Sequence, residues 1–280
     1  MNKLQREQIV ARLKQLPALP ASISELLASF GDEDIDVARI AHQIARDQGL
    51  TARVLRVANS SFYGLQSRVG TIHEAVVILG FRAVRSMVLA VGMNAVFHSE
   101  HCPGFDTRSY LRHCAAVGLA ARALAGSSGH NPELAFTGGI LHDIGQLVLA
   151  ANFPAQYAEA LAYRRQHDCF LVQAERDVLG VDHGEVGGLL AETWRFPIAL
   201  HEAVADHHQP AGSLAGSLAD LIHVADGVAH ALGVVHLADE MVAPLERTAW
   251  LRLGLDVGRI TAILAPIERE MEETCQALAT

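Results

Sequence analysis

The sequence predicts an all-α fold, a helical protein of two lobes. Three observations carry that prediction. The chain is rich in Ala and Leu, with 50% hydrophobic residues and only 5% aromatic ones, a bias toward good helix formers. Apolar residues recur at three- and four-residue spacing, and no useful run alternates apolar with polar as a half-buried strand would. Pro132, Pro154, Pro197 and Pro210 stand where helices are expected to start or end, positions that tolerate proline. At 280 residues the chain can hold one large domain or two smaller ones.

The elements follow in order. Residues 3–16 carry Leu4, Ile9, Leu13 and Leu16 at helical spacing and stop at LPALP (16–20), where two prolines fix an extended segment. Ser22 is placed to cap a short helix that ends at Phe30. Asp36 caps the next, with Val37, Ile40, Ala41 and Ile44 on one face. Gly49 reads as a break; a helix resumes over 50–58 and ends in the turn-rich NSSFYG (59–64). Thr71 and Glu74 have capping-box spacing, and Gly80 splits that helix from a long apolar one over 82–97.

Residues 98–107 (HSEHCPGFDT) read as a linker. The boundary set there gives an N-terminal helical lobe over 1–105 and a C-terminal lobe over 106–280. In the second lobe helices are expected at 108–125, 132–151, 155–167, 171–179, 184–194, 198–208, 214–232, 239–253 and 256–278. The last sets Ile260, Ile263, Leu264, Ile267 and Met271 against Glu268, Glu270, Glu272 and Glu273, one packed side and one solvated side. No internal repeat of fixed period is visible.

A formal charge of -9 with no block of Lys or Arg argues against direct nucleic-acid binding and against an anionic lipid surface. A small phosphorylated ligand stays compatible, because a bound metal would supply local positive charge. Cys102, Cys114, Cys169 and Cys275 show no CxxC spacing and read as free thiols of a reducing compartment. The charged, amphipathic N-terminus has no apolar signal core. The longest apolar runs read as too short and too interrupted to cross a membrane. The expected location is cytoplasmic.

Fifteen histidines prompt a search for a metal site. The focus is GGILHDIG (138–145), where His142 and Asp143 stand side by side in an apolar run. An imidazole and a carboxylate there are costly unless something binds them, and a divalent metal takes both. His113 lies mid-helix among small apolar residues, and His183 lies at a helix start. His207 and His208 stand at a helix end before Gln209-Pro210, and Asp226 sits in a mostly apolar helix. At one turn's spacing Asp226 could instead pair with His223 or His230, which are left undecided. His42, His73, His98, His101, His130, His167, His201 and His236 read as solvated.

The order His113, His142-Asp143, His183, His207-His208, Asp226 resembles the HD superfamily of metal-dependent phosphohydrolases. Within it the likeness is to the HDOD domain, a signalling relative of the HD-GYP phosphodiesterases, over about residues 10–235. LPALP, LTARVLRVANSSFYG (50–64) and TIHEAVVILG (71–80) resemble HDOD in the first half; GGILHDIG, DHGEVGGLLAETWRFP (182–197) and HHQP (207–210) do so in the second.

The resemblance implies a two-lobed protein with an HD-type helical core. It assigns a first metal to His113, His142, Asp143 and Asp226. A second would use His183 and His207 or His208, with Asp143 bridging. The metal implied is divalent, mono- or dinuclear, and iron, manganese or zinc. Arg112 and Gln146 are placed as supporting or phosphate-facing groups. Two features depart from the catalytic relatives: Gln146 stands where a lysine follows the HDIG tetrad there, and HHQPAG (207–212) lacks a Gly-Tyr-Pro element.

The implied function is therefore a regulatory signal-transduction module, non-catalytic, acting on a signalling protein partner or a nucleotide ligand. The alternative is a metal-dependent phosphohydrolase or phosphodiesterase on a nucleotide or cyclic dinucleotide, with Asp143 central to catalysis. A third reading makes the polar set purely structural. Ligand histidines must be neutral, so metal binding is expected to weaken below about pH 6.

Overall fold

Sixteen α-helices and no strand make up the residues that the computed structural model describes, which are 3–16, 19–31, 36–60, 63, 65, 67–94, 97, 102–210, 216–233, 241–242 and 244–278. Parts of LPALP, of NSSFYG and of the 98–107 linker lie outside that set, as do the starts of the helices expected at 214–232 and 239–253.

Up to the 98–107 linker the chain contains α1 (Arg6–Leu13), α2 (Ala21–Ala28), α3 (Val37–Ala45), α4 (Gln48–Ala58), α5 (Ile72–Leu79) and α6 (Phe81–Asn94), with Leu4 N ahead of α1 donating to the Leu179 carbonyl at 2.8 Å. Asp36 caps α3 by accepting from Arg39 N at 2.9 Å. Two expectations are corrected here. Ser22 does not cap α2, whose N-cap is Pro20. Gly49 is no break, because Asp47 accepts from Leu50 N at 2.9 Å and starts α4 ahead of it. Thr71 accepts from Glu74 N at 3.1 Å, but the Glu74 carboxylate takes Gly70 N rather than completing the box.

The second lobe is built on α7 (Thr107–Ser128), which packs against α8 (Pro132–Leu141), α14 (Leu218–Ala231) and α16 (Val257–Leu278). Between them run α9 (Ile144–Asn152), α10 (Pro154–His167), α11 (Leu171–Val178), α12 (His183–Thr193) and α13 (Ile198–Ala205); α15 (Arg247–Arg252) follows α14. α13 ends three residues earlier than expected, which frees His207 and His208 from the helix. Of the helix expected over 239–253, α15 is the helical part among the described residues.

The single helix expected over 132–151 is two. It breaks at His142-Asp143, where Asp143 (φ -94, ψ 12) leaves helical geometry and gives α9 no side-chain cap. The carboxylate is turned inward instead. Together Pro132–Asn152 is apolar and long enough to cross a membrane by composition, which corrects the expectation on length; 83% of that window is buried inside the protein.

Polar contacts join the two lobes. Ser86 of α6 donates to the Glu133 carbonyl at 2.8 Å, and Thr137 of α8 donates to Ser86 at 2.9 Å. The buried Arg85 guanidinium lies 3.6 Å over the Phe30 ring and donates to the Ser29 carbonyl. Burial lowers its pKa to about 10, so it stays charged at neutral pH.

α7 and α8 approach backbone to backbone. A Cβ on Gly139 would lie 2.6 Å from Gly118 Cα and N, so only glycine fits. Gly139→Ala should cost about 1–3 kcal/mol by overpacking. Gly126, on the open side of α7, has nothing within 4 Å of a Cβ. Gly126→Ala should stabilise by up to about 1 kcal/mol through helix propensity. Urea melts of both variants check the contrast, and equal midpoints would contradict it.

Candidate metal centre

The break at His142-Asp143 delivers both side chains to the space enclosed by α7, α12, α14 and the turn after α13. α12 can come close because Gly145 faces it: a Cβ there would overlap the His183 carbonyl. His183 is the first residue of α12, held by Asp182, which accepts from Glu185 N at 2.9 Å.

The structure brings all seven sequence-selected side chains together. Asp143 faces two groups with its two oxygens. Oδ2 lies 3.5 Å from both His113 Nε2 and His142 Nε2. Oδ1 lies 3.0 Å from His183 Nε2 and 3.5 Å from His207 Nε2. Asp226 Oδ1 is 3.1 Å from His113 Nε2 and 3.9 Å from His142 Nε2, and His208 Nε2 is 2.7 Å from His183 Nε2. The ligand atoms of Asp143, His183, His207 and His208 fall within 4.8 Å of one another, as do those of His113, His142 and Asp143.

Two residues that matter were not selected. His230 completes a third such group with His113 and Asp226, its Nε2 3.4 Å from Asp226 Oδ1. Of the two histidines left undecided, His230 thus faces the cluster. His223 is structural: its Nδ1 donates to the His207 carbonyl at 2.7 Å and its Nε2 accepts from Glu246 N at 2.8 Å. The other is Glu175, fully buried on α11, which accepts from His183 Nδ1 at 2.7 Å and from His183 N at 2.9 Å. Arg112 does not line the cavity that opens from the cluster.

The donor set fits a cation. His142 Nδ1 donates to the Gly139 carbonyl (2.7 Å) and His207 Nδ1 to the Val204 carbonyl (2.9 Å). With Nδ1 so engaged, each ring turns its Nε2 inward as the nitrogen available to a ligand. His207 Nε2 and Asp226 Oδ1 are buried with no hydrogen-bond partner, which a protein interior avoids. His113 Nε2 and His142 Nε2 stand 3.2 Å apart, a distance that needs a proton or a cation between two lone pairs.

The electrostatics agree. Burial pushes the His142 pKa down to about 4, so the ring is neutral at pH 7. Burial acts against the Asp143 charge, yet the imidazoles of His142 and His183 hold its pKa well below the usual range. The same balance, with His230 and His113, keeps Asp226 ionised. His183 is raised well above its ordinary value, because the Glu175 and Asp143 carboxylates outweigh its desolvation.

Gln146 donates to Asp143 Oδ2 at 2.6 Å and accepts from the Tyr157 hydroxyl at 3.3 Å. That phenol is raised by burial and by Glu175 beside it. Asp143 is thus backed by Gln146 and Tyr157, and His183 separately by Glu175. Gln146 holds the Asp143 carboxylate from behind and leaves its front to the cluster. The cluster floors a cavity of about 770 Å³.

Among known proteins, the chain matches the HDOD domain over residues 16–210. The solved structure of a candidate phosphohydrolase from Shewanella amazonensis SB2B is similar over 96% of this chain and 97% of its own, at 30% identity and a TM-score of 0.77. An HDOD domain protein of unknown function from Geobacter sulfurreducens superposes over 98% of both chains at 21% identity and a TM-score of 0.78, which speaks for the fold alone. An uncharacterised protein of Treponema pallidum (strain Nichols) is 26% identical over 203 residues; the match takes in 71% of this chain but only 39% of that relative.

Two outcomes follow from the geometry. Glu175→Gln should lower divalent-metal affinity by about 10–100-fold, the usual cost of losing the carboxylate behind a ligand histidine; unchanged affinity in a metal titration would contradict it. Metal uptake should also release protons at about pH 7, because His183 must give one up. Affinity then rises with pH. Calorimetry in two buffers of different ionisation enthalpy counts the protons, and zero release would contradict the assignment.

Proposed function

The chain belongs to the HDOD family, and on that premise we propose that it is a regulatory signal-transduction module whose HD-type cleft binds a divalent metal and a phosphorylated ligand. The observation that carries this reading is the buried His/Asp cluster at the floor of a cavity of about 770 Å³, a volume suited to a nucleotide-sized molecule. The proposed ligands are His113, His142, Asp143 and Asp226 for one ion and Asp143, His183, His207 and His208 for a second, with His230 beside the first. Iron, manganese and zinc all suit this donor set.

Gln146 favours binding over turnover. It is neutral and committed to Asp143 and Tyr157, so it adds no positive charge beside a developing phosphoryl anion. The signal would leave through α8, which carries His142 at one end and meets α6 of the first lobe at the other. A signalling protein partner is proposed for that lobe. The free thiols of Cys102, Cys114 and Cys169 suit a reducing compartment, which supports a cytoplasmic location.

A second reading is a metal-dependent phosphohydrolase, and one observation favours it: Asp143 presents separate oxygens to two ligand groups. Metal ions there would supply Lewis acidity toward a phosphoester. Asp143 would then hold both ions in register, and Gln146 and Glu175 would orient Asp143 and His183.

Incubating the manganese-loaded chain with bis(p-nitrophenyl) phosphate and p-nitrophenyl phosphate separates the two. The regulatory reading expects release no faster than manganese alone gives, together with metal-dependent binding of inorganic phosphate by calorimetry. Chelator-sensitive release above that background would replace it with the hydrolase.

A further inference from the structure

Part of the cavity wall lies outside any helix. Met241, Pro244, Leu245 and Glu246, between α14 and α15, line the cavity that Asp226 and His208 also line. The described residues of that stretch belong to no helix, so no ladder of helical hydrogen bonds stiffens it. Segments held by few backbone bonds open most readily, and this one depends on single contacts.

Those contacts lead back to the metal centre. Glu246 N donates to His223 Nε2 at 2.8 Å, and His223 Nδ1 donates to the His207 carbonyl at 2.7 Å. One tautomer serves both bonds, with the proton on Nδ1. His223, buried on α14, thus spans from the backbone of the wall to the backbone of a proposed metal ligand. Leu245 fills a notch on the same helix: a Cβ on Gly227, next to Asp226, would overlap the Leu245 side chain.

α15 is tied to the same turn. Arg252 Nη2 donates to the Pro210 carbonyl at 3.0 Å, and Arg252 Nε donates to Asp220 Oδ2 at 2.9 Å. Asp220 is fully buried and also accepts from Gly216 N at 3.0 Å, ahead of α14. Two carbonyls of the turn that carries His207 and His208, those of His207 and Pro210, therefore accept from groups that hold the wall and the helix after it. Neither bond uses the imidazole nitrogens offered to a metal, so the turn can hold an ion and the wall at once.

We propose that His223 is a positioning residue that ties this wall to the metal centre, so that metal occupancy sets how firmly the wall is held. His207 and His208, once they hold an ion, fix their turn; the fixed His207 carbonyl orients His223, and His223 then holds Glu246 and the start of α15. The proposal rests on the metal-centre reading above and names a regulation of that cleft. The coupling runs both ways, because linked equilibria are reciprocal: a wall set loose weakens metal binding by the factor by which metal steadies the wall.

Glu246→Pro isolates the bond. Glu246 has φ -65, the value that proline imposes, and Pro20 and Pro197 already stand at the N-caps of α2 and α13. The substitution removes one N–H and leaves His223 and the cluster in place; Glu246→Gln keeps the N–H and controls for the charge. Hydrogen–deuterium exchange of the full chain is followed over residues 247–253 with and without saturating manganese. Manganese should slow exchange at least about fivefold in the parent and in Glu246→Gln, and not at all in Glu246→Pro. Manganese affinity should fall in Glu246→Pro by about the factor of that slowing. A parent that binds manganese without slowing, a slowing that survives in Glu246→Pro or is lost in Glu246→Gln, or an affinity that does not follow the slowing would overturn the tie through His223 alone. A parent that takes up no manganese would instead bring down the metal-centre reading, and this proposal with it.

Discussion

A charged carboxylate, Asp143, is buried among imidazoles where α8 gives way to α9, and the arrangement around it follows from the need to compensate it. Burying an ionised group away from water is costly unless opposite charge and hydrogen bonds surround it. Here His142 and His113 approach one oxygen, His183 and His207 the other, and Gln146 donates from behind. Much of the second lobe can be read as the means of bringing those groups in. Gly139 lets α8 lie against α7, Gly145 lets α12 lie against α9, and α13 stops early enough for His207 and His208 to turn back.

That arrangement also explains the supporting residues. Each of His142, His183 and His207 has its Nδ1 anchored to a carbonyl or a carboxylate, so the inward nitrogens are fixed before any ligand arrives. Gln146, backed by Tyr157, and Glu175 stand behind Asp143 and His183 respectively. The front opens into the cavity. The site is thus rigid where charge must be held and open where a ligand can enter. Its link to the first lobe runs through α8, by way of Ser86, Thr137 and the Glu133 carbonyl.

Much of this was legible in the sequence. Helical periodicity and proline placement gave the all-α class, and the order of histidines and aspartates gave the family and the cluster. What the sequence hid has physical causes. The helix break at His142-Asp143 carries no proline or turn signal after Gly139; it arises because the carboxylate is drawn inward. His230 and His223 both lie within a turn of Asp226, so spacing could not choose between them. Glu175 left a trace: it shares the α11 face with Ala174 and Val178, and a carboxylate on an apolar face needs a partner.

The central claim is that the cluster around Asp143 is a metal centre. It is tested most directly by elemental analysis of the chain purified without chelator, beside an Asp143→Ala variant whose folding is checked by circular dichroism. The account predicts about one or two divalent ions per chain in the parent and almost none in the folded variant. A parent that is metal-free and takes up no iron, manganese or zinc when offered them would contradict it, leaving the histidines and aspartates as a hydrogen-bonded core.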